Sequence, residues 1–389
     1  MWRNIASNFL TIAILILVAA AGAVAWGQRQ YAGPGPLAEA ICFKVERGAN
    51  MRTVAADLAA RGAIGSAYIF RVGADYEEKA GGLKAGSFLI QPNASMREIV
   101  DTVTRSGQST CGTEVNYRIG VAAADVIVRE LDPAANAYVE VVKFDPAAGE
   151  APADYLARAE DPDVRFRVTL AEGVTSWQVV EALKRAEFLA GEPGEVPAEG
   201  YLAPDSYEVA RGADRKALLD DMRARQEAVL AELWPERAEG LPYATPDEAL
   251  IMASIVEKET GLPEERPRVA SVFLNRLRDG MKLQTDPTVI YGITKGQGVL
   301  GRGLRQSELR GRTPYNTYVI DGLPPTPIAN PGRESIAAAL KPETTDYLFF
   351  VADGTGGHVF ATTLAEHNDN VAKWRAIEAQ QQEQGTSGN

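Results

Sequence analysis

The residue type and position best suited to acid–base chemistry in this sequence is Glu257, within the segment 245–260. Thr245 begins this segment with a capping-box pattern, which predicts a helix from about Pro246 to Thr260. Apolar side chains point in nearly every direction around that helix, so it is expected to be buried. Burial and the negative end of the helix dipole both disfavour a carboxylate at the C-terminal turn. Glu257 is therefore predicted to keep its proton and to act as a general acid.

The second carboxyl group in the same turn, Glu259, lies on the opposite side of the helix and is predicted to be an ordinary surface residue. Gly261 follows and is expected to end the helix in a left-handed conformation. An alternative interpretation of the whole turn is a solvated helix end with no chemical role.

The elements that follow must complete any site around this helix. A second helix is predicted from about Glu264 to Asp279, with Gly280 as its stop. The polar loop after it contains Gln284 and Asp286, and Asp286 is expected to cap a short helix starting at Pro287. If these polar groups return towards Glu257, they form a pocket that can hydrogen-bond a hydroxyl-rich ligand.

Long ordered motifs connect this region to a known family. The segments ASIVEKET (253–260) and VASVFLNRLRDGMKLQTDPTVIYG (269–292), followed by PYNTY (314–318), GLPPTPIANPG (322–332) and GGHVF (356–360), resemble the endolytic murein transglycosylases. These are membrane-bound enzymes that cut the glycan strands of peptidoglycan and so terminate them. The family's catalytic glutamate is assigned by this resemblance to Glu257.

The resemblance implies a lytic reaction with one general acid/base and no cofactor. Glu257 would protonate the leaving oxygen, and the 6-hydroxyl of the muramic acid would attack C1 to give a 1,6-anhydro end. The residues expected to bind the sugar are Asn275, Gln284, Asp286, Tyr315, Asn316 and Tyr318. Peptidoglycan synthases are implied as partners by analogy with the family.

Two other functions fit the same residues. A muramidase would use Glu257 as the acid and Asp286 or another carboxylate to activate water. A non-catalytic scaffold would bind the cell wall and recruit synthases.

Composition excludes several other classes of function. The 389 residues include 40 basic and 52 acidic side chains, a net charge of −12, which argues against a nucleic-acid partner. The sequence contains two histidines and two cysteines, and no metal-binding or phosphate-binding motif. We therefore expect neither a metal nor a nucleotide cofactor.

The run from Phe9 to Trp26 is strongly apolar and has no charged residue. At about 1.5 Å per residue it is about 27 Å long, which is just enough to cross a bilayer core. It is expected to be a retained single-pass anchor of the inner membrane, with the catalytic domain in the periplasm. The alternative is a signal peptide cleaved after Ala23-Val24-Ala25.

The cysteines, Cys42 and Cys111, suit an exported protein and could form a disulfide that brackets one small module. Two buried free thiols are the alternative.

The predicted fold class is α+β, with an N-terminal transmembrane helix, a small LysM-like α/β module and a larger α+β catalytic domain with a helical catalytic core. A weak repeat supports the module, since helix caps at Asn50, Ser95 and Thr175 each follow a short strand and a turn. A LysM-like module would bind glycan. The predicted boundaries are a cytoplasmic N-terminus (1–8), the anchor (9–29), a linker (30–40), the LysM-like module (41–111), an insertion without assigned role (112–164), the catalytic domain (165–378) and a disordered tail (379–389).

Overall fold

A computed structural model describes residues 2–105, 109–161 and 163–386 of this α+β protein. The helices are α1 (Trp2–Ala32), α2 (Met51–Ala60), α3 (Ala67–Tyr76), α4 (Met96–Thr104), α5 (Ala153–Ala159), α6 (Ser176–Lys184), α7 (Arg215–Leu233), α8 (Pro246–Glu259), α9 (Arg266–Arg278), α10 (Asp286–Thr294), α11 (Gln306–Arg310), α12 (Arg333–Leu340) and α13 (Leu364–Thr386). The strands are β1 (Ile41–Val45), β2 (Gly86–Ile90), β3 (Thr113–Ile119), β4 (Ala124–Asp132), β5 (Ala137–Phe144), β6 (Arg165–Leu170), β7 (Leu189–Ala190), β8 (Ser206–Val209), β9 (Ala213–Asp214), β10 (Phe349–Ala352) and β11 (His358–Ala361).

The first helix contains an apolar stretch long enough to cross a membrane. This stretch, Leu10–Ala32, has 23 residues and a mean hydropathy of 2.3, and it packs against no other part of the protein over its most apolar window. Such a helix is consistent with either a membrane anchor or a signal sequence.

The segment predicted as a linker, residues 30–40, is packed rather than free. Helix α1 continues to Ala32, and the side chains of Tyr31 and Leu37 are buried in the core of the first compact unit. The backbone of Asn93 bonds to this segment twice, accepting from the Gly35 amide and donating to the Leu37 carbonyl. A sequence with this much Gly and Pro suggests a linker, but these tertiary bonds hold it in place.

The first compact unit comprises residues 1–116, 127–143 and 151–165. Strands β1 and β2 pair antiparallel, with Phe43 opposite Phe88. Helices α2, α3 and α4 surround a core that includes both of these rings. The predicted caps are confirmed, because Asn50 and Ser95 each form a capping box at the start of α2 and α4.

The predicted link between the cysteines is confirmed as a disulfide between Cys42 and Cys111. Cys42 lies on β1, and Cys111 is fully buried beyond the end of α4. The bond therefore fixes both ends of the segment predicted as the LysM-like module.

The region predicted as an insertion contains more regular structure than its composition suggests. Strands β3, β4 and β5 and helix α5 lie within it. These strands join a five-stranded sheet in the order β5-β4-β3-β6-β8. Strand β6 pairs antiparallel with β8, with Val168 opposite Tyr207.

The second unit comprises residues 117–126, 144–150 and 166–389, and its centre is helix α8. Thr245 and Glu248 form the predicted capping box at its start. Every side chain from Ala249 to Val256 is buried, and α8 packs against α12 and α9. The predicted burial of this helix is thus confirmed.

The end of α8 differs from the prediction. The helix ends because Thr260 adopts an extended conformation, with φ −137° and ψ 134°. Gly261 has no left-handed φ, so it is not the helix-ending glycine that the sequence suggested. Helix α9 does end as predicted, at Gly280 with φ +66°.

Asn330 joins three separate segments of the second unit. Its side chain is fully buried, accepts from the Leu202 amide at 2.9 Å and donates to the Val174 carbonyl at 2.9 Å. The sequence suggests a helix starting at Asn330 and Pro331, but α12 begins at Arg333. The asparagine is used to fix the backbone that leads into α12.

The C-terminal part of the second unit contains a hairpin and a long helix. Strands β10 and β11 pair antiparallel, and Thr363 and Glu366 form a capping box at the start of α13. Helix α13 continues to Thr386, so residues 379–386 are helical and not the disordered tail that their composition suggested. Residues 387–389 of that predicted tail lie outside the described residues.

Candidate active site

Two glutamates at the end of α8 face different surroundings. Residues two apart on a helix are separated by about 200°, so Glu257 and Glu259 point to opposite sides. The side chain of Glu257 is only 6% exposed. Glu259 is partly buried and is not the surface residue that the sequence suggested. Each environment must therefore be considered separately.

Glu257 is held by hydrogen-bond donors. Its Oε2 accepts from the backbone amide of Gly332 at 2.9 Å, and Oε1 lies 3.8 Å from Nη2 of Arg266. Gly332 is the N-cap of α12, so the carboxylate lies at the positive end of that helix dipole. The sequence suggested apolar neighbours for Glu257, but the structure places a backbone amide and an arginine beside its carboxylate.

A third carboxyl group, Glu172, shares the same arginine. Its Oε2 lies 3.0 Å from Nη2 of Arg266, closer than the Glu257 carboxylate does. Burial raises the pKa of Glu172, and the neighbouring charge of Glu257 raises it further. A Cβ at Gly332 would lie 1.8 Å from Oε1 of Glu172, so glycine at this position makes room for that carboxyl group.

Lys258, between the two glutamates in sequence, is also largely buried. Its Nζ donates to the Gly173 carbonyl at 3.3 Å. Burial lowers the pKa of Lys258, while the charges of Glu257 and Glu199 oppose that shift. Lys258, Glu257 and Glu199 therefore form a charged cluster on the Glu257 side of α8, and the Gly173 carbonyl accepts from its lysine.

Glu259 lies in a different, less charge-compensated environment. Burial raises the pKa of its carboxyl group, and the charge of Asp286 raises it further. The hydroxyl of Thr285 donates to Oε1, and this bond opposes the shift, as do the charges of His358 and Arg276. The net direction is upward, so burial determines the protonation behaviour of Glu259.

The predicted polar loop meets Glu259 instead of Glu257. Thr285, Asp286 and Tyr318 are all close to Glu259, and the Tyr318 hydroxyl donates to Oδ1 of Asp286 at 2.6 Å. Asp286 does not cap α10, because it is the first residue of that helix and Thr285 occupies the N-cap position. The side chain of Asp286 is thus exposed and directed to Tyr318.

The other predicted sugar-binding residues fall into two groups. Gln284 is exposed, with a left-handed φ of 51°, and Tyr315 is partly buried, with its hydroxyl 2.8 Å from that of Thr326. Asn275 and Asn316 have structural contacts instead. The Asn275 amide donates to the Thr345 and Tyr347 carbonyls, and Asn316 is fully buried, its amide donating to three carbonyls between residues 308 and 311.

Two further residues, Arg276 and His358, lie near Glu259. Arg276, on α9, is buried and donates to the carbonyls of Leu283 and Leu348, both at 2.6 Å. His358, on β11, has Nδ1 2.7 Å from Oε2 of Glu265. Arg276 and His358 both lie in family motifs, but they are 17 and 99 residues from Glu259 along the chain, so no local pattern places them beside it.

The protonation of Glu259 leads to a prediction about stability. Because its folded pKa is raised above the ordinary value of 4.5, its stabilising contribution is complete below that value and is lost as the pH rises through the folded pKa. Glu259→Gln removes this loss. The free energy of unfolding of the variant, minus that of the parent, is therefore expected to increase as the pH rises from 4.5.

Urea unfolding over a pH series measures this difference directly. Glu264→Gln removes the same charge from an exposed position close by and is the matched control. A Glu259→Gln difference that is constant with pH, or that falls as the pH rises, would contradict the assigned direction of the shift.

Comparison with known proteins gives the family of this chain. The YceG-like family matches residues 43–131 and 139–373. A Bacillus subtilis (strain 168) protein named endolytic murein transglycosylase is 38% identical over 183 residues, which are 46% of this chain and 48% of that protein. A Streptococcus pneumoniae (strain D39) protein of the same name is 34% identical over 182 residues, 45% of this chain and 32% of that protein.

The aligned parts thus amount to less than half the length of either relative. A crystal structure of a yceG-like protein from Listeria monocytogenes aligns with 85% of this chain and 99% of its own, at 25% identity and a TM-score of 0.46. The family match covers most of the chain and includes both glutamates at the end of α8. The protein therefore belongs to the YceG-like family.

Proposed function

We propose that this protein is a peptidoglycan lytic transglycosylase that cleaves within glycan strands. The relatives from Bacillus subtilis and Streptococcus pneumoniae are named endolytic murein transglycosylases. The observation in this chain that carries the proposal is a carboxyl group, Glu259, whose pKa is raised by burial and which lies beside exposed polar groups. A general acid working near neutral pH needs such a shift.

We infer that Glu259, and not Glu257, is the general acid/base. The Glu257 carboxylate already accepts from the Gly332 amide at 2.9 Å and lies 3.8 Å from Arg266. Glu259 has instead the raised pKa that proton donation requires, and Asp286 and Tyr318 lie beside it. Glu257 remains the second candidate because the sequence resemblance assigned the catalytic role to it.

The proposed reaction needs one carboxyl group. Protonated Glu259 donates its proton to the oxygen that links C1 of N-acetylmuramic acid to the next sugar, and the C1–O bond breaks. The 6-hydroxyl of the same muramic acid forms a new bond to C1 and gives its proton to the Glu259 carboxylate. The products are a free 4-hydroxyl and a 1,6-anhydro end, and no water is consumed.

The residues around Glu259 would bind and orient the sugar. Asp286 and Tyr318 offer polar groups beside Glu259, and Gln284 and Tyr315, on the same two loops, offer an amide and a ring. Asn275 and Asn316 are left out of the proposed sugar contacts, because their side-chain NH2 groups donate to backbone carbonyls of the protein. Their proposed role is to hold the loops that carry the other residues.

A muramidase is the alternative enzyme. Asp286 would then activate a water molecule while Glu259 or Glu257 acts as the acid. The Tyr318 hydroxyl donates to Oδ1 of Asp286 at 2.6 Å and so orients that carboxylate, which either role of Asp286 would use.

The remaining parts of the proposal concern location and partners. We propose that α1 is a retained inner-membrane anchor and that the catalytic unit is periplasmic, with peptidoglycan synthases as partners. The strand–helix–helix–strand order of residues 41–90 supports a LysM-like, glycan-binding role for that segment. The non-catalytic scaffold is the alternative that would use the same segment.

Product analysis tests the proposed reaction. Purified uncrosslinked glycan strands are digested with the full-length protein, and the new ends are identified by mass spectrometry. We expect 1,6-anhydro-muramic ends. Reducing muramic ends, heavier by one water, would instead support the muramidase, and unchanged strands would support the scaffold.

A further inference from the structure

Helix α3 of the first unit carries an exposed apolar stripe. Tyr68 is 68% exposed, Val72 48% and Tyr76 82%. These residues are four apart, so they lie along one side of the helix. The opposite side, with Phe70 and Ala74, is fully buried in the core of the unit. The apolar side chains of the stripe are therefore not part of the core of this unit and remain exposed.

The same helix packs directly on the end of α1. Gly73 lies under the ring of Tyr31, where an added Cβ would be only 2.2 Å from a ring carbon. Tyr31 itself is buried, so this contact is part of the core and fixes α3 to the last turn of α1. The position of α3 thus follows from the position of α1.

The charge-free apolar run within α1, Phe9 to Trp26, ends five residues before Tyr31. Five residues of helix are about 7.5 Å long. The headgroup layer on each side of a bilayer is about 5–8 Å thick. If α1 crosses the membrane, the contact between Tyr31 and α3 lies at the outer limit of the headgroups.

We propose that α3 lies on the surface of the unit that faces the membrane crossed by α1. Tyr68, Val72 and Tyr76 would then be inserted among the lipid headgroups. Tyrosine suits this depth, because its ring is apolar and its hydroxyl stays hydrated. Tyr76 lies at the edge of the stripe nearest Gly73, and Asp75 lies at the opposite edge, where it remains in water. Continuity with the apolar helix favours lipid over a protein as the occupant.

This inference depends on the proposed anchor, so its test must separate the two. The full-length protein is placed in phospholipid nanodiscs, and a nitroxide label is attached to a single added cysteine, under non-reducing conditions that keep the Cys42–Cys111 disulfide. The label positions are Tyr76→Cys for the stripe, Val18→Cys for the anchor and Ala135→Cys for an exposed turn of the same unit. Accessibility to oxygen, which enters lipid, is compared with accessibility to a nickel chelate, which stays in water.

The expected result is that the label at position 18 loses nickel accessibility and the label at 76 has lower nickel accessibility than the label at 135, while the labels at 18 and 76 both keep oxygen accessibility. If position 18 is in lipid and position 76 is as accessible to nickel as position 135, the inference fails and the anchor stands. If the label at position 76 is accessible neither to oxygen nor to the nickel chelate, the stripe is covered by protein, and the lipid contact is overturned. If position 18 is itself in water, the proposed anchor fails, and the inference fails with it.

Discussion

Glu259→Gln is expected to reduce glycan-strand cleavage by about 10²–10⁴-fold, the usual contribution of a general acid/base. The amide has the same size as the carboxyl group and can still accept the hydroxyl bond from Thr285. It cannot donate a proton to the leaving oxygen or accept one from the 6-hydroxyl. The measurement is the rate at which 1,6-anhydro ends appear from purified strands, with thermal unfolding as a check on folding.

Glu257→Gln is the matched control, since it makes the same change two residues away on the same helix. Its carbonyl oxygen can keep the bond from the Gly332 amide, and Arg266 keeps its contact with Glu172. We expect a smaller loss of activity for this variant. Full activity in Glu259→Gln together with loss of cleavage in Glu257→Gln would return the catalytic role to Glu257.

Removal of the disulfide is expected to have the largest effect on the stability of the first unit. The bond joins cysteines 69 residues apart, and closing a loop of that size limits the unfolded chain. In the chain-entropy account this is worth about 4 kcal/mol. The double variant Cys42→Ala/Cys111→Ala should therefore show faster hydrogen exchange of the β1 and β2 amides.

A reducing agent provides the control for the disulfide prediction. It should accelerate exchange of the same amides in the parent protein and leave the double variant unchanged. Equal exchange in the parent with and without reductant would show that the bond does not stabilise this unit.

Local signals explain what the sequence predicted well. The capping boxes at Asn50, Ser95, Thr175 and Thr245 each depend on residues within three positions, and all are present in the structure. The hairpin of β10 and β11 likewise follows from a short apolar pattern around a glycine-rich turn. Such features need no knowledge of tertiary contacts.

The choice between the two glutamates could not be made from the same kind of signal. Helix α8 is apolar on nearly all sides, so its pattern does not identify the side that meets the polar loop. That side is set by tertiary contacts such as the bond from Thr285 to Glu259, across 26 residues. The donors at Glu257 come from still farther away, since Gly332 is 75 residues along the chain.

Tertiary contacts also explain the segment that was taken for a linker. Its glycines and prolines suggest free motion, but Tyr31 and Leu37 enter the core of the first unit. The composition of residues 379–386 was similarly misleading, because α13 extends through them. In the first case buried side chains, and in the second a continued helix, give order to a segment whose composition suggested disorder.

The packing of Tyr31 on Gly73 has a mechanical consequence. Because the last turn of α1 is packed in the core of the first unit, the helix and the unit are expected to move together as one rigid body. If α1 is the proposed membrane anchor, a change in its tilt, such as one imposed by a thicker bilayer, would turn the first unit by the same angle.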